Sequence, residues 1–280
     1  MSEYASGPPP DSVTPFPSGS ASPPAMLSDR RAPWSFRDLI LFILFAILAL
    51  VVLSFLSFAT FAAFGPVFGW RTSATAMSRN VFLALGAQFV FYVFIFIYIY
   101  VLVVRRYHFN FWRGIQWGPV GSRQVLHFVA GGVLMTVAVQ LAPTLLPDKT
   151  NFPLEHLFSS PGSAYATAVF AVVIAPFMEE LVFRGFMFSV FEIRISLPVA
   201  IVVTAILFAG MHAYEYKGAW NHLLLIFVVG LILSLTRGLT HKLAPSVILH
   251  TTYNACLMIG LFVATSHFRV IQSLLVALQR

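Results

Sequence analysis

The sequence predicts an all-α polytopic membrane protein of seven to eight transmembrane helices, with a polar cavity among the last four. Three observations carry that expectation. The composition is 59% hydrophobic and only 10% charged, against about 25% charged in a soluble domain, and the mean hydropathy is +0.85. The apolar residues come in unbroken runs, not in the period-two alternation of a membrane β-barrel. Most of those runs approach or exceed the ~20 residues that a helix needs to cross a bilayer.

Residues 1–32 are rich in Pro, Ser and Gly and read as a disordered tail ahead of a membrane-embedded domain, 33–280. The tail is not expected to be a signal peptide. It has no basic start, and the first apolar run, 39–64, is longer than an h-region of ~7–15 residues. Further spans are expected at 81–104, 125–146, 164–191, 198–213, 220–236 and 243–265. The two shorter ones can lean on neighbouring protein. The end of the chain places Val270, Ile271, Leu274, Leu275 and Leu278 at helical spacing, as in an interfacial helix or a partial eighth segment. The Phe- and Tyr-rich second span is expected to face lipid. Gly131, Gly132 and Gly230 read as close-packing points, and His127 and His222 as interfacial side chains near helix ends.

The net charge of +7 does not point to nucleic acid, because the basic residues fall mainly in short loops and orient the helices there. Arg30, Arg31 and Arg37 precede the first span. Arg105, Arg106, Arg113 and Arg123 follow the second, Arg194 the fourth, and Arg237 and Lys242 the sixth; the alternate loops hold Arg71, Arg79, Lys149 and Lys217. The amino terminus is therefore expected in the cytoplasm, with the chain in the plasma membrane if the source is bacterial. Single Cys256 excludes an intrachain disulfide and a Cys-based zinc site.

The fourth span holds Glu179, Glu180 and Arg184 within six residues. An ionised side chain near the bilayer centre costs about 2.5–3.5 kcal/mol on insertion scales, and such groups mark functional sites. His212 closes the fifth span, four residues after Phe208, and His250 and Asn254 lie on the seventh. At ~1.5 Å per residue these groups fall near the middle third of a ~30 Å core, where one cavity can hold them. Glu180 and Arg184 share a helix face at i, i+4 spacing. That pairing leaves Glu179 as a base able to activate water for amide hydrolysis. Imidazole can orient the water, and His and Asn donors can stabilise the oxyanion. Pro176 leaves a carbonyl unpaired and is expected to kink the helix.

Glu179-Glu180-Leu181-Val182-Phe183-Arg184 resembles the EExxxR motif of the CPBP family, the CAAX prenyl endopeptidases and their bacterial Abi relatives. Phe208–His212 is similar to its FxxxH motif and His250–Asn254 to its HxxxN motif, in family order over a core of about 164–265. The resemblance implies an eight-helix intramembrane endopeptidase that acts on membrane-associated proteins or peptides. It further implies Glu179 as base, His212 sharing the catalytic water, and His250 with Asn254 near the oxyanion.

Metal dependence stays open at this stage. Glu179, His212 and His250 with a water would suit catalytic zinc, yet HExxH is absent. The metal-free reading is preferred because base and donors are already supplied. A proton or solute relay is a second use of the same charges, but the first three spans offer it almost no polar residues. A silent binding or immunity protein is a third, against which the intact base, imidazoles and amide argue.

Overall fold

The computed structural model describes residues 33–67, 69, 73, 77, 80–145, 155–216 and 219–269. The chain divides into the units Met1–Arg30 and Arg31–Arg280; the expected tail lies outside the described residues, and the second unit holds the helices. They are α1 (Phe36–Phe64), α2 (Val81–Arg106), α3 (Ser122–Leu145), α4 (Pro161–Arg194), α5 (Leu197–Met211), α6 (Trp220–Thr240) and α7 (Leu243–Ala264). A four-residue helix, Phe111–Gly114, lies between α2 and α3. No strand occurs among the described residues. Six of the seven main helices are long and apolar enough to cross a membrane, and α5 is the shorter one. The fold is that of an all-α polytopic membrane protein. Every expected span finds its helix within a few residues at either end, whereas residues 270–280 lie outside the described part.

Local chemistry starts these helices where the apolar runs begin. Asn80 accepts the Leu83 N–H at the head of α2, and Ser160 caps α4 just ahead of Pro161, two residue types that satisfy the orphan donors of a first turn. At α7 the cap comes from a distant loop: the Gln116 carbonyl accepts from the Leu243 N–H at 2.8 Å. Lys242 Nζ reaches the Pro119 carbonyl at 2.8 Å, so the α2–α3 and α6–α7 connections lie together at one end of the bundle.

Two glycines set the helix spacing. A Cβ on Gly132 would stand 2.7 Å from Thr252 Cβ and 2.8 Å from the Leu249 carbonyl, so α3 meets α7 backbone to backbone. A Cβ on Gly230 would stand 3.1 Å from the Phe208 ring and 3.3 Å from Ala205, which brings α6 against α5. Gly131, expected to do the same, has only an ordinary 3.6 Å approach to Leu249. The close α6–α5 and α7–α3 pairs leave α4 facing α6 and α7, and there its charges find partners.

Arg237, read from the sequence as a loop charge, lies inside α6 and is fully buried. Its guanidinium sits 5.1 Å over the Phe188 ring. It donates to the Arg184 carbonyl at 3.2 Å and to the Gln116 side chain. A buried arginine bonded in this way packs the bundle and does not contribute to loop charge.

Candidate active site

Helix α4 is not a uniform α-helix. It widens to π geometry at Phe170–Ile174 and again at Leu181–Met187, on either side of the two glutamates. Pro176 lies just after the first of these stretches and gives it a cause. In an α-helix the Ala171 carbonyl would accept from the Ala175 N–H, but here that N–H reaches back to Phe170. The next residue in line, Pro176, has no N–H to give. The Ala171 carbonyl instead accepts from Asn254 Nδ2 at 2.8 Å. Carbonyls of the second stretch are met by side chains in the same way: Arg184 by Arg237, Gly185 by the Ser189 hydroxyl at 3.0 Å, and Phe186 by Trp34 Nε1 at 3.2 Å. Widened turns of this kind concentrate at functional sites.

Glu180 is sealed. Its side chain and that of Arg184 both have 0% exposure, and Arg184 Nη1 donates to Glu180 Oε1 at 2.9 Å. The same guanidinium donates to the Gly230 carbonyl at 2.7 Å and to Ser234 Oγ at 3.3 Å, and lies 4.6 Å over the Phe208 ring. Thr204 on α5 holds Ser234 in turn, oxygen to oxygen at 3.0 Å. A fork geometry used on three acceptors is a task for arginine, not lysine.

His250 bridges the two carboxylates. Its Nδ1 lies 3.0 Å from Glu180 Oε1 and its Nε2 lies 3.8 Å from Glu179 Oε2. A carboxylate paired with arginine only accepts, so Nδ1 carries the hydrogen. His212 Nδ1 lies 2.9 Å from the Phe208 carbonyl, which again only accepts. Both imidazoles therefore have Nδ1 committed and Nε2 left for chemistry. The Phe208 ring separates them, at 4.9 Å from His212 and 5.8 Å from His250 between ring centres. Glu179 differs from its neighbour in being 11% exposed, the access a base needs.

The second span exposes much of its apolar surface, as a lipid-facing helix should, but one face of it enters the site. Tyr92 is buried, its ring stacked on Phe170 at 5.8 Å, and its hydroxyl points at Glu179 Oε1 at 3.5 Å. Gln88, one turn earlier, donates to the Tyr92 oxygen at 3.2 Å. The sequence held a signal for this pair: two polar side chains at i, i+4 in a stretch, 81–97, that is otherwise apolar. Glu215, in the turn after His212, was also missed. Burial lifts its carboxyl above the ordinary range; His212 opposes that lift and Glu179 adds to it. His222 stacks against Tyr216 at 5.8 Å.

Among the described residues no three His, Cys, Asp or Glu side chains gather in a metal-holding group, and Glu179, His212 and His250 do not meet that condition.

The fold and the site define an integral-membrane protein with a carboxylate–imidazole centre enclosed by its helices. Residues 161–256, about a third of the chain, match the family model described as Type II CAAX prenyl endopeptidase Rce1-like. The CPBP-type resemblance of the three motifs is thereby shown for that stretch, which makes the chain similar to CAAX-protease-like intramembrane endopeptidases. Among curated proteins and solved structures, none matches this chain.

Proposed function

We propose that the protein hydrolyses a peptide bond of a membrane-associated protein, with Glu179 as general base. The observation that carries this reading is the contrast between the two glutamates. Glu180 is closed in by Arg184 and His250, while Glu179 is open to the site and faces His250 Nε2. Glu179 takes a proton from the attacking water and the oxygen adds to the amide carbon. The same proton then passes to the leaving amine as the C–N bond breaks. His212 Nε2 accepts a hydrogen bond from that water and aligns it. His250, its ring fixed by Arg184 and Glu180, meets the charge on the carbonyl oxygen by sharing at Nε2 the proton that Glu179 has taken, before that proton passes to the amine. Asn254 acts at one remove through the α4 backbone, which its amide holds at Ala171.

The reading is metal-free, because Glu179 and the imidazoles supply the base and the donors, and a chelator is expected to leave turnover unchanged. The family description supports substrates that end in a prenylated CAAX-type sequence. The basic residues outside Arg237 support a cytoplasmic amino terminus, with tail 1–32 preceding a membrane domain 33–280.

The test uses the purified full chain in detergent. Farnesylated CAAX-type peptides and an unprenylated peptide library are offered with and without EDTA, to the wild type and to Glu179→Gln. Cleavage by the wild type and a loss of about 10²–10⁴-fold in Glu179→Gln support the reading. Equal turnover by both refutes it.

A further inference from the structure

We infer that Tyr92, held by Gln88, is a positioning residue that fixes the Glu179 carboxylate for proton abstraction. The inference rests on the reading of Glu179 as base and extends the site to α2, which none of the three motifs touches. Gln88 Nε2 donates to the phenol oxygen at 3.2 Å. An oxygen that accepts on one side turns its own hydrogen elsewhere, and Glu179 Oε1 lies ahead of it at 3.5 Å. The phenol has little freedom to swing away, because the ring is buried and stacked on Phe170 with only 14° between planes. Catalytic hydrogen bonds of this length in an unliganded site tighten when substrate binds.

The consequence concerns which oxygen reacts. Oε1 is turned to the phenol and Oε2 to His250 Nε2, 3.8 Å away. The phenol holds the carboxylate at Oε1 and leaves Oε2 on the histidine side, so the proton is taken at Oε2. Without the phenol, Glu179 keeps its chemistry but samples rotamers in which Oε2 points away from the water. A misplacement of about 1 Å can cost about 10²-fold in rate.

The experiment compares Tyr92→Phe, Gln88→Leu, the double variant and Glu179→Gln in the peptide assay, with thermal unfolding in detergent alongside. Infrared difference spectra locate the carboxylate band that Glu179→Gln removes. Tyr92→Phe is expected to lower kcat by about 10–10²-fold with KM and unfolding temperature unchanged, and to shift that band. Gln88→Leu is expected to lower kcat by less and to add nothing to Tyr92→Phe. Wild-type kcat in Tyr92→Phe while Glu179→Gln is inactive overturns the inference and spares the base. Turnover by Glu179→Gln overturns both. An effect of Gln88→Leu that multiplies fully with that of Tyr92→Phe rejects the relay from Gln88 through the phenol. If the wild type cuts no peptide offered, the infrared band decides: a shift in Tyr92→Phe supports the contact, and an unmoved band rejects it.

Discussion

Replacing Arg184 with methionine tests whether the buried ion pair holds the site together. The guanidinium bonds Glu180, the Gly230 carbonyl and Ser234, and covers the Phe208 ring. Methionine keeps much of the volume and none of those donors. Glu180 would then lose its arginine partner while keeping the His250 N–H, at 0% exposure. Breaking one partner of a buried pair costs about 3–5 kcal/mol, because the other charge is left uncompensated. A cation over an aromatic ring contributes up to about 2 kcal/mol where desolvated, but it is lost with the same group and is not added again. The expected fall in unfolding free energy is therefore about 3–5 kcal/mol, measured by titrating mixed micelles with a denaturing detergent. Arg184→Met combined with Glu180→Leu removes both charges, and apolar replacements of a buried pair are often neutral or stabilising by about 1–4 kcal/mol. The double variant should regain most of the loss in stability, although not in turnover, because His250 also loses its anchor. A single-variant loss below about 1 kcal/mol, the scale of an exposed pair, or a double variant no better than the single one, would refute the reasoning.

Asn254→Ala leaves the Ala171 carbonyl unpaired and should destabilise by about 1–3 kcal/mol; in a Pro176→Ala background, where a backbone N–H returns, the loss measured by the same titration should shrink. Gly132→Ala forces a Cβ to within 2.8 Å of the Leu249 carbonyl and should cost about 1–3 kcal/mol of overpacking. Gly86→Ala, with nothing within 4 Å, should hold or raise the unfolding temperature. Glu215 has its carboxyl raised in the fold, so the folded state binds that proton more tightly than the unfolded chain. Stability should decline from the ordinary glutamate range up through the raised folded value, then level off, and Glu215→Gln should flatten that decline in thermal unfolding across pH.

Long apolar runs made the helices legible, because a bilayer demands continuous hydrophobic length and the sequence shows it directly. Glu179, Glu180 and Arg184 were legible because charge inside such a run needs a reason. The i, i+4 spacing of Glu180 and Arg184 was enough to pair them. The bridging position of His250 was not readable, since it depends on how far α7 rotates against α4, and Gly132 sets that approach from a third helix. The π stretches of α4 were readable only in part: Pro176 announced a freed carbonyl, but not that Asn254 would take it. Arg237 was misplaced because a basic residue near a helix end reads as a loop charge until Phe188 and the Arg184 carbonyl are seen around it. Tyr92 was overlooked among aromatic neighbours whose hydroxyls carry no such contact.

The order of the partners along the chain has a consequence for synthesis. Arg184 finds the Gly230 carbonyl 46 residues downstream and Ser234 50 downstream, while Glu180 finds His250 70 downstream. At ~5–20 residues per second, a nascent α4 precedes them by roughly 2–14 seconds. During that interval its charges have one internal remedy, the contact between Glu180 and Arg184 four residues apart. The pair that later supports the site is thus the one that forms without help, and it carries the helix through the wait for α6 and α7.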